Sequence, residues 1–121
     1  MKHCLVVDDS SVVRKVARRI LEELNFTIAE AGDGREALQQ CVAHMPDAIL
    51  LDAAMPVMDG VEFLGELRQR DGGKQPKVIF CTTENDVGQI ARARKAGADD
   101  YILKPFDRDL VRTKMQDAGL I

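Results

Sequence analysis

Two patterns of hydrophobic and polar positions follow one another along this chain, short apolar runs and segments with helical spacing. Short runs that are apolar nearly throughout predict five strands, at residues 3–9, 26–31, 47–52, 77–83 and 100–104. Segments with apolar residues three or four positions apart predict five helices, at residues 10–25, 35–45, 59–70, 87–97 and 107–119. Strands that are apolar on both sides belong to parallel sheets covered by helices on both faces. The pattern therefore predicts an α/β fold, a doubly wound five-stranded parallel sheet.

The helical segments carry recognisable apolar stripes and end signals. The stripe of the first helix is predicted to contain Val13, Val16, Ala17, Ile20, Leu21 and Leu24. That of the second is predicted to contain Ala37, Leu38, Cys41, Val42 and Met45. Asp59, with Glu62 three residues later, is predicted to begin the third helix, and Gly97 is predicted to end the fourth.

Composition narrows the class of protein. The chain has 121 residues, of which 45% are hydrophobic and 31% charged, so we expect one globular domain spanning residues 1–121. The net charge of −3 does not favour a nucleic-acid partner. No apolar run is long enough for a membrane helix, and acids appear too early for a secretory leader, so we expect a cytoplasmic protein.

Cysteines and histidines offer no convincing site. Cys4, Cys41 and Cys81 are widely spaced, and such single cysteines are usually small buried hydrophobes. His3 and His44 have no cysteine at metal-ligand spacing, so we interpret them as surface histidines.

The ends of the predicted strands hold the candidate chemistry. In a doubly wound sheet, ligands bind beyond the carboxyl ends of the strands, where the strand order reverses. Asp8 and Asp9 end the first strand, and Asp52 ends the third. The fourth strand ends on Thr82 and Thr83, between which the residues alone do not choose, and the fifth on Lys104. Residues far apart in sequence are thus expected to meet at one edge.

Three carboxylates gathered there would repel one another, so the cluster needs a cation. Oxygen ligands without histidine or cysteine suit Mg²⁺, which binds one or two carboxylates and several waters. A magnesium ion, the Lys104 ammonium and a threonine hydroxyl together can balance and hold a phosphoryl group. The remaining carboxylate can then act as nucleophile and form an aspartyl phosphate.

With these residues in place, the chain resembles the receiver domain of bacterial two-component response regulators. The likeness rests on Asp8-Asp9, Asp52 with the segment MPVMDG after it, Thr82 and Lys104-Pro105, and it covers essentially the whole chain. It implies a flavodoxin-like fold with strand order 2-1-3-4-5, an order for which this family is a familiar example. It also implies a cis Lys104-Pro105 bond.

The resemblance assigns roles residue by residue. It implies that Asp52 is the phosphoacceptor and that Mg²⁺ is held by Asp9, Asp52 and the backbone carbonyl of Ala54. Asp8 would act on the metal through water or help to hold it. It selects Thr82 as the switch hydroxyl and Lys104 as the partner of the phosphoryl group. Tyr101 stands where receivers carry an aromatic that turns inward on activation. Ala54 and Glu84 occupy two positions that modulate hydrolysis of the aspartyl phosphate in the family.

Simpler interpretations exist for several of these residues. Asp8 and Asp9 could cap the first helix, although Ser10 or Ser11 could do so instead. Tyr101 could be an ordinary half-buried aromatic, and Gly60 is expected to serve packing or turn geometry. The basic residues of the fourth helix most often mark a solvated face; they are Arg92, Arg94 and Lys95.

The resemblance implies that the protein is a signalling switch and not a dedicated enzyme. Such a switch catalyses only its own phosphorylation and dephosphorylation. A histidine kinase or phosphotransfer protein would supply the phosphoryl group, and docking is expected near Val12, Val13 and Val16. Because the chain ends after the fifth helix, output is expected through an unidentified protein that binds the face of the fourth helix, fifth strand and fifth helix. We expect a monomer, with a dimer also open.

Three alternatives stay open at this point. The protein could be a relay intermediate or phosphate sink, or a degenerate receiver that only binds partners. It could also be a magnesium-dependent phosphohydrolase with an aspartate nucleophile, but such enzymes generally need a second carboxylate two residues later, where this chain has Ala54.

Overall fold

The fold, seen in a computed structural model that describes residues 1–83 and 87–121, alternates strands and helices. The strands are β1 (His3–Val7), β2 (Thr27–Ala31), β3 (Ala48–Asp52), β4 (Lys77–Thr82) and β5 (Asp100–Leu103). The helices are α1 (Ser11–Glu23), α2 (Gly34–Ala43), α3 (Gly60–Gln69), α4 (Val87–Ala96) and α5 (Arg108–Asp117). Each predicted element is present, with ends that differ from the prediction by a few residues.

All strand pairs are parallel, and the sheet order is β2-β1-β3-β4-β5. This order confirms the doubly wound fold that the sequence and the resemblance predicted. The order reverses beside β1, which connects outward to β2 and lies on its other side against β3. Such a reversal opens a crevice at the carboxyl ends of the central strands, so it locates the expected site.

The core is divided between the two faces of the sheet, because successive strand side chains point to opposite sides. On β1, Leu5 and Val7 pack with buried residues of α2, α3 and α4. Cys4 and Val6 pack on the other face, with buried residues of α1 and α5. The molecule therefore has three layers, as a buried parallel sheet requires.

Side-chain caps define where the helices begin. The Asp59 carboxylate accepts a hydrogen bond from the Glu62 amide at 2.9 Å and confirms the predicted start of α3. Ser10, rather than Asp8 or Asp9, caps α1. At the end of α4, Gly97 adopts a φ of 124°, and the Ala98 amide donates to the Ala93 carbonyl at 2.9 Å. This closure confirms the predicted C-terminal glycine.

Two valines predicted on apolar helix stripes are not in the core. Val16 is 47% exposed and Val42 is 62% exposed. Both lie on the edge of their stripe, outside the set of buried residues of their helix. Val16 lines a groove against Pro105 and Phe106, and Val42, on α2, lines a surface pocket together with Glu66 of α3. A periodicity that counts only apolar residues does not distinguish the centre of a stripe from its rim.

The cysteines behave as predicted. Cys4, Cys41 and Cys81 are free and buried. Burial raises the pKa of Cys4 to about 12 and that of Cys41 to about 11, and it raises the pKa of Cys81 as well. These thiols are therefore protonated at neutral pH and are poor nucleophiles. Among the described residues, no helix is both long and apolar enough to span a bilayer.

Candidate functional site

The carboxyl edge of the sheet gathers the polar side chains that the sequence placed at strand ends. Asp52 is the last residue of β3 and Thr82 the last of β4, while Asp8 and Lys104 each follow their strand by one position. The pleat of each strand decides to which face of the sheet these side chains point. Asp8, Asp52 and Lys104 continue the alternation of the residues that face α1 and α5. The fold thus aims one lysine and two acids at the same point.

The acids form a compact cluster. One carboxylate oxygen from each of Asp8, Asp9 and Asp52 lies within 4.8 Å of the other two. Asp8 is 3% exposed and Asp52 is 6% exposed, whereas Asp9 faces the solvent. Burial raises the pKa of the Asp52 carboxyl, and repulsion by Asp8 and Asp9 adds to this effect against the opposing attraction of Lys104. The cluster therefore carries more negative charge than it can balance by itself.

Lys104 supplies part of the balance. Its Nζ lies 2.7 Å from Asp8 Oδ2 and 2.8 Å from Asp52 Oδ1. Burial alone would lower the pKa of this ammonium, but the hydrogen bonds and attraction to Asp52 and Asp8 outweigh burial and raise it. Lys104 is consequently a permanent cation. The bond to Pro105 is cis, as the resemblance implied.

Within the part of the chain that the structure describes, Lys104 against the three carboxylates leaves a net negative charge, which a divalent cation would neutralise. The donor set consists of oxygens and includes an exposed carboxylate, so it fits Mg²⁺, which keeps several of its waters. The Ser10 amide donates to Asp8 Oδ1 at 2.9 Å, and Lys104 donates to Asp8 Oδ2. Both Asp8 oxygens are thus held in place, which suits a ligand that acts through water.

The two candidate threonines differ in burial. Thr82 is 4% exposed, whereas Thr83 faces the solvent and lines the groove beside Val16. The Thr82 hydroxyl donates to the side-chain Oε1 of Gln89 at 3.0 Å. Gln89, on α4, was not singled out by sequence reasoning. Burial favours Thr82 as the hydroxyl that belongs to the site.

Tyr101 lies apart from the acids, on edge strand β5, where it is half-buried. The ring has Lys114 Nζ at 5.0 Å and the Arg94 guanidinium at 6.0 Å from its centroid. Asp100 Oδ1 bridges these cations, at 3.1 Å from Lys114 Nζ and 3.8 Å from Arg94 Nη2. Arg94 is exposed, as expected for a solvated face, but it also joins this ionic network, which the sequence did not indicate.

Close contacts with the end of β3 and the loop after it require glycine at two positions. A Cβ on Gly60 would lie 2.6 Å from the Asp52 carbonyl oxygen, so only glycine lets α3 begin this close to the strand. This contact confirms the packing interpretation of Gly60. A Cβ on Gly34 would likewise lie 2.5 Å from the Met58 carbonyl oxygen. Ala54 is exposed beside Asp52, and Glu84 lies outside the described residues.

Comparison with known proteins decides the family. The family model of the response regulator receiver domain matches residues 4–116. The chain belongs to the response regulator receiver family. This receiver is 40% identical over 117 residues to the chemotaxis protein CheY of Halobacterium salinarum, covering 96% of this chain and 95% of the relative. It is 37% identical to CheY of Bacillus subtilis over 108 residues, covering 88% of each.

Solved structures agree with this receiver in fold. Chemotaxis protein CheY4 of Vibrio cholerae superposes with a TM-score of 0.92 at 31% identity, covering 97% of this chain and 98% of that one. The receiver domain of a Pseudomonas aeruginosa sensor histidine kinase superposes with a TM-score of 0.88 at 29% identity, covering 96% and 95%. In that structure a magnesium ion is coordinated in the active-site cleft. Family membership makes this receiver a phosphoacceptor signalling switch of two-component systems rather than a dedicated enzyme.

Proposed function

We propose that Asp52 receives the phosphoryl group, in a reaction that depends on Mg²⁺ held by Asp8, Asp9, Asp52 and the Ala54 carbonyl. The observation that carries the proposal is the pairing of a nearly buried Asp52 with Lys104 at 2.8 Å, inside a cluster of three carboxylates. An Asp52 oxygen attacks the phosphorus of a phosphohistidine, the bond from phosphorus to the imidazole nitrogen breaks, and that nitrogen keeps the electron pair.

The chain's own groups prepare this transfer. Lys104 orients Asp52 before the reaction, and its ammonium then balances charge on the phosphoryl oxygens. The Thr82 hydroxyl leaves Gln89 and donates to a phosphoryl oxygen. Bound Mg²⁺ would supply further charge neutralisation at those oxygens. We infer that repacking of Thr82 is passed to Tyr101 and to the face formed by α4, β5 and α5.

We also propose where the phosphodonor docks. Val12 and Val16 are 69% and 47% exposed and lie one helical turn apart, so together they form an exposed apolar patch. With Pro105 and Phe106 they line a groove of about 500 Å³ that extends to Lys104. A histidine kinase or phosphotransfer protein seated there would bring its phosphohistidine to Asp52. The chemotaxis relatives support an output protein as the further partner.

Phosphorylation is tested by intact mass after incubation with Mg²⁺ and acetyl phosphate. We expect a single phosphate adduct that is lost in Asp52→Asn and in excess chelator, and retained in the control Asp47→Asn, an exposed acid at the opposite end of β3. An adduct that persists in Asp52→Asn would refute the assignment of Asp52 as the phosphoacceptor. An adduct that persists in chelator would refute the dependence on Mg²⁺. Turnover of a phosphate ester without any adduct would favour the phosphohydrolase instead.

A further inference from the structure

Arg14 lies beside the acid cluster but outside the residues assigned so far. It is on the first helical turns of α1, and its side chain is 21% exposed. Its Nη1 donates to the backbone carbonyl of Asp8 at 2.6 Å, and its Nε donates to Glu30 Oε1 at 3.0 Å. No role was assigned to this arginine from the sequence alone.

The contact restrains one peptide plane. The Asp8 carbonyl shares its planar peptide with the Asp9 amide, so a fixed carbonyl also fixes the direction in which the chain enters Asp9. The Asp8 amide donates to the Ala31 carbonyl at 3.1 Å, and the Asp8 carboxylate is held by Ser10 and Lys104. Arg14 thus adds a further restraint on Asp8, at the peptide that leads into the exposed Asp9.

Arg14 is itself held in place. Glu30 accepts from Arg14 on one oxygen and from Arg18 Nε on the other, at 2.7 Å. These hydrogen bonds, with that of Arg18 the strongest, outweigh burial and lower the pKa of Glu30, so its carboxylate stays charged. Gln40 donates to the Glu30 carbonyl at 2.6 Å. A planar guanidinium can bridge the carbonyl and the carboxylate together, which a lysine ammonium does less well.

We propose that Arg14 is a positioning residue for the metal ligands: it orients Asp8 and Asp9 through the Asp8 carbonyl and thereby raises affinity for Mg²⁺. The inference rests on the proposed function of these acids. The direction of the expected change in Mg²⁺ affinity distinguishes this inference from a simple electrostatic effect of the Arg14 charge. Removing a positive charge beside an anionic site should strengthen cation binding, whereas releasing the Asp8-Asp9 peptide should weaken it.

The test is the dissociation constant for Mg²⁺, measured by calorimetry on the unphosphorylated protein. Arg14→Ala should raise this dissociation constant about tenfold, which is the low end of the loss in metal affinity seen when a group that orients ligands is removed. Arg14→Lys keeps the charge and should also raise the dissociation constant, by a smaller factor. The control Lys15→Ala removes the same charge from an exposed neighbour on α1 and should leave it nearly unchanged. Glu30→Gln should reproduce part of the Arg14→Ala effect.

Unchanged or tighter Mg²⁺ binding in Arg14→Ala would overturn the inference, as would an equal effect of Lys15→Ala. A normal dissociation constant in Arg14→Lys would show that the guanidinium bridge between the Asp8 carbonyl and Glu30 is not needed, and would overturn the inference as well. Asp9→Asn tests the proposed function separately. If Asp9→Asn binds Mg²⁺ normally, the metal site itself is misassigned; if it loses binding while Arg14→Ala does not, the positioning role alone fails. Urea unfolding of each variant shows that the titrated protein is folded.

Discussion

Replacing Lys104 with methionine should destabilise the folded protein in chelator by about 3 kcal/mol. The change removes the ammonium and keeps a side chain of similar length. Each of the two ion pairs, at 2.7 and 2.8 Å, represents about 6 kcal/mol of attraction at an effective dielectric of 20. Two carboxylate oxygens no more than 4.8 Å apart repel by at least about 3.5 kcal/mol on the same scale, so the acids left behind are strongly unfavourable.

The measured loss should be smaller than these raw attractions, because the acids can bind protons and admit water once Lys104 is gone. Broken buried pairs typically cost about 3 to 5 kcal/mol, which sets the expectation. Saturating Mg²⁺ should recover more stability in Lys104→Met than in the unsubstituted protein, because the ion then meets a more negative site. Adding Asp52→Asn should also reduce the loss, since it removes one of the uncompensated charges.

Urea unfolding at neutral pH measures the free energies, with and without Mg²⁺. The control is Lys15→Met, in which an exposed lysine on α1 is lost. It should change stability by less than about 0.5 kcal/mol. Equal losses in the two variants, or a Lys104→Met loss that Asp52→Asn does not reduce, would refute the view that Lys104 compensates the acid cluster.

Three further predictions concern the scaffold. Val57 is 67% exposed and has a φ of 70°, so Val57→Gly should stabilise the fold by about 1 kcal/mol in urea unfolding. The control Val12→Gly lies within α1 and should destabilise the fold. The reverse order of stabilities would refute backbone strain at Val57. Arg68 donates to the Gly97, Gly73 and Pro76 carbonyls at 2.6, 2.9 and 2.8 Å. Arg68→Ala should cost about 2 to 3 kcal/mol, and Arg68→Lys should restore less than half of that; full restoration would show that charge alone matters. Burial and the charge of His44 lower the pKa of His3 below 6.5, so the unfolded chain binds a proton at a higher pH than the fold. Stability should therefore fall as pH drops below 6.5, and less so in His3→Gln; identical pH profiles would contradict this.

The sequence was sufficient to place the chemistry at strand ends. Local periodicity separated strands from helices, and parallel pairing then required the carboxyl ends to share one edge. Asp52 and Lys104 could thus be assigned to one site although they lie far apart in the chain. The specific likeness to receivers chose Thr82 over Thr83, and the structure buries Thr82 and leaves Thr83 exposed.

Contacts between distant elements were decided only by the tertiary structure. Arg14 and Lys15 are adjacent basic residues that the pattern treats alike, yet only Arg14 reaches the Asp8 carbonyl. His3 and His44, interpreted separately as surface histidines, stack with their ring centroids 4.7 Å apart. Periodicity reports which side of an element faces the core, since it depends on local geometry. Which partner a polar side chain meets depends on how whole elements pack, and that information is not local to any stretch of the chain.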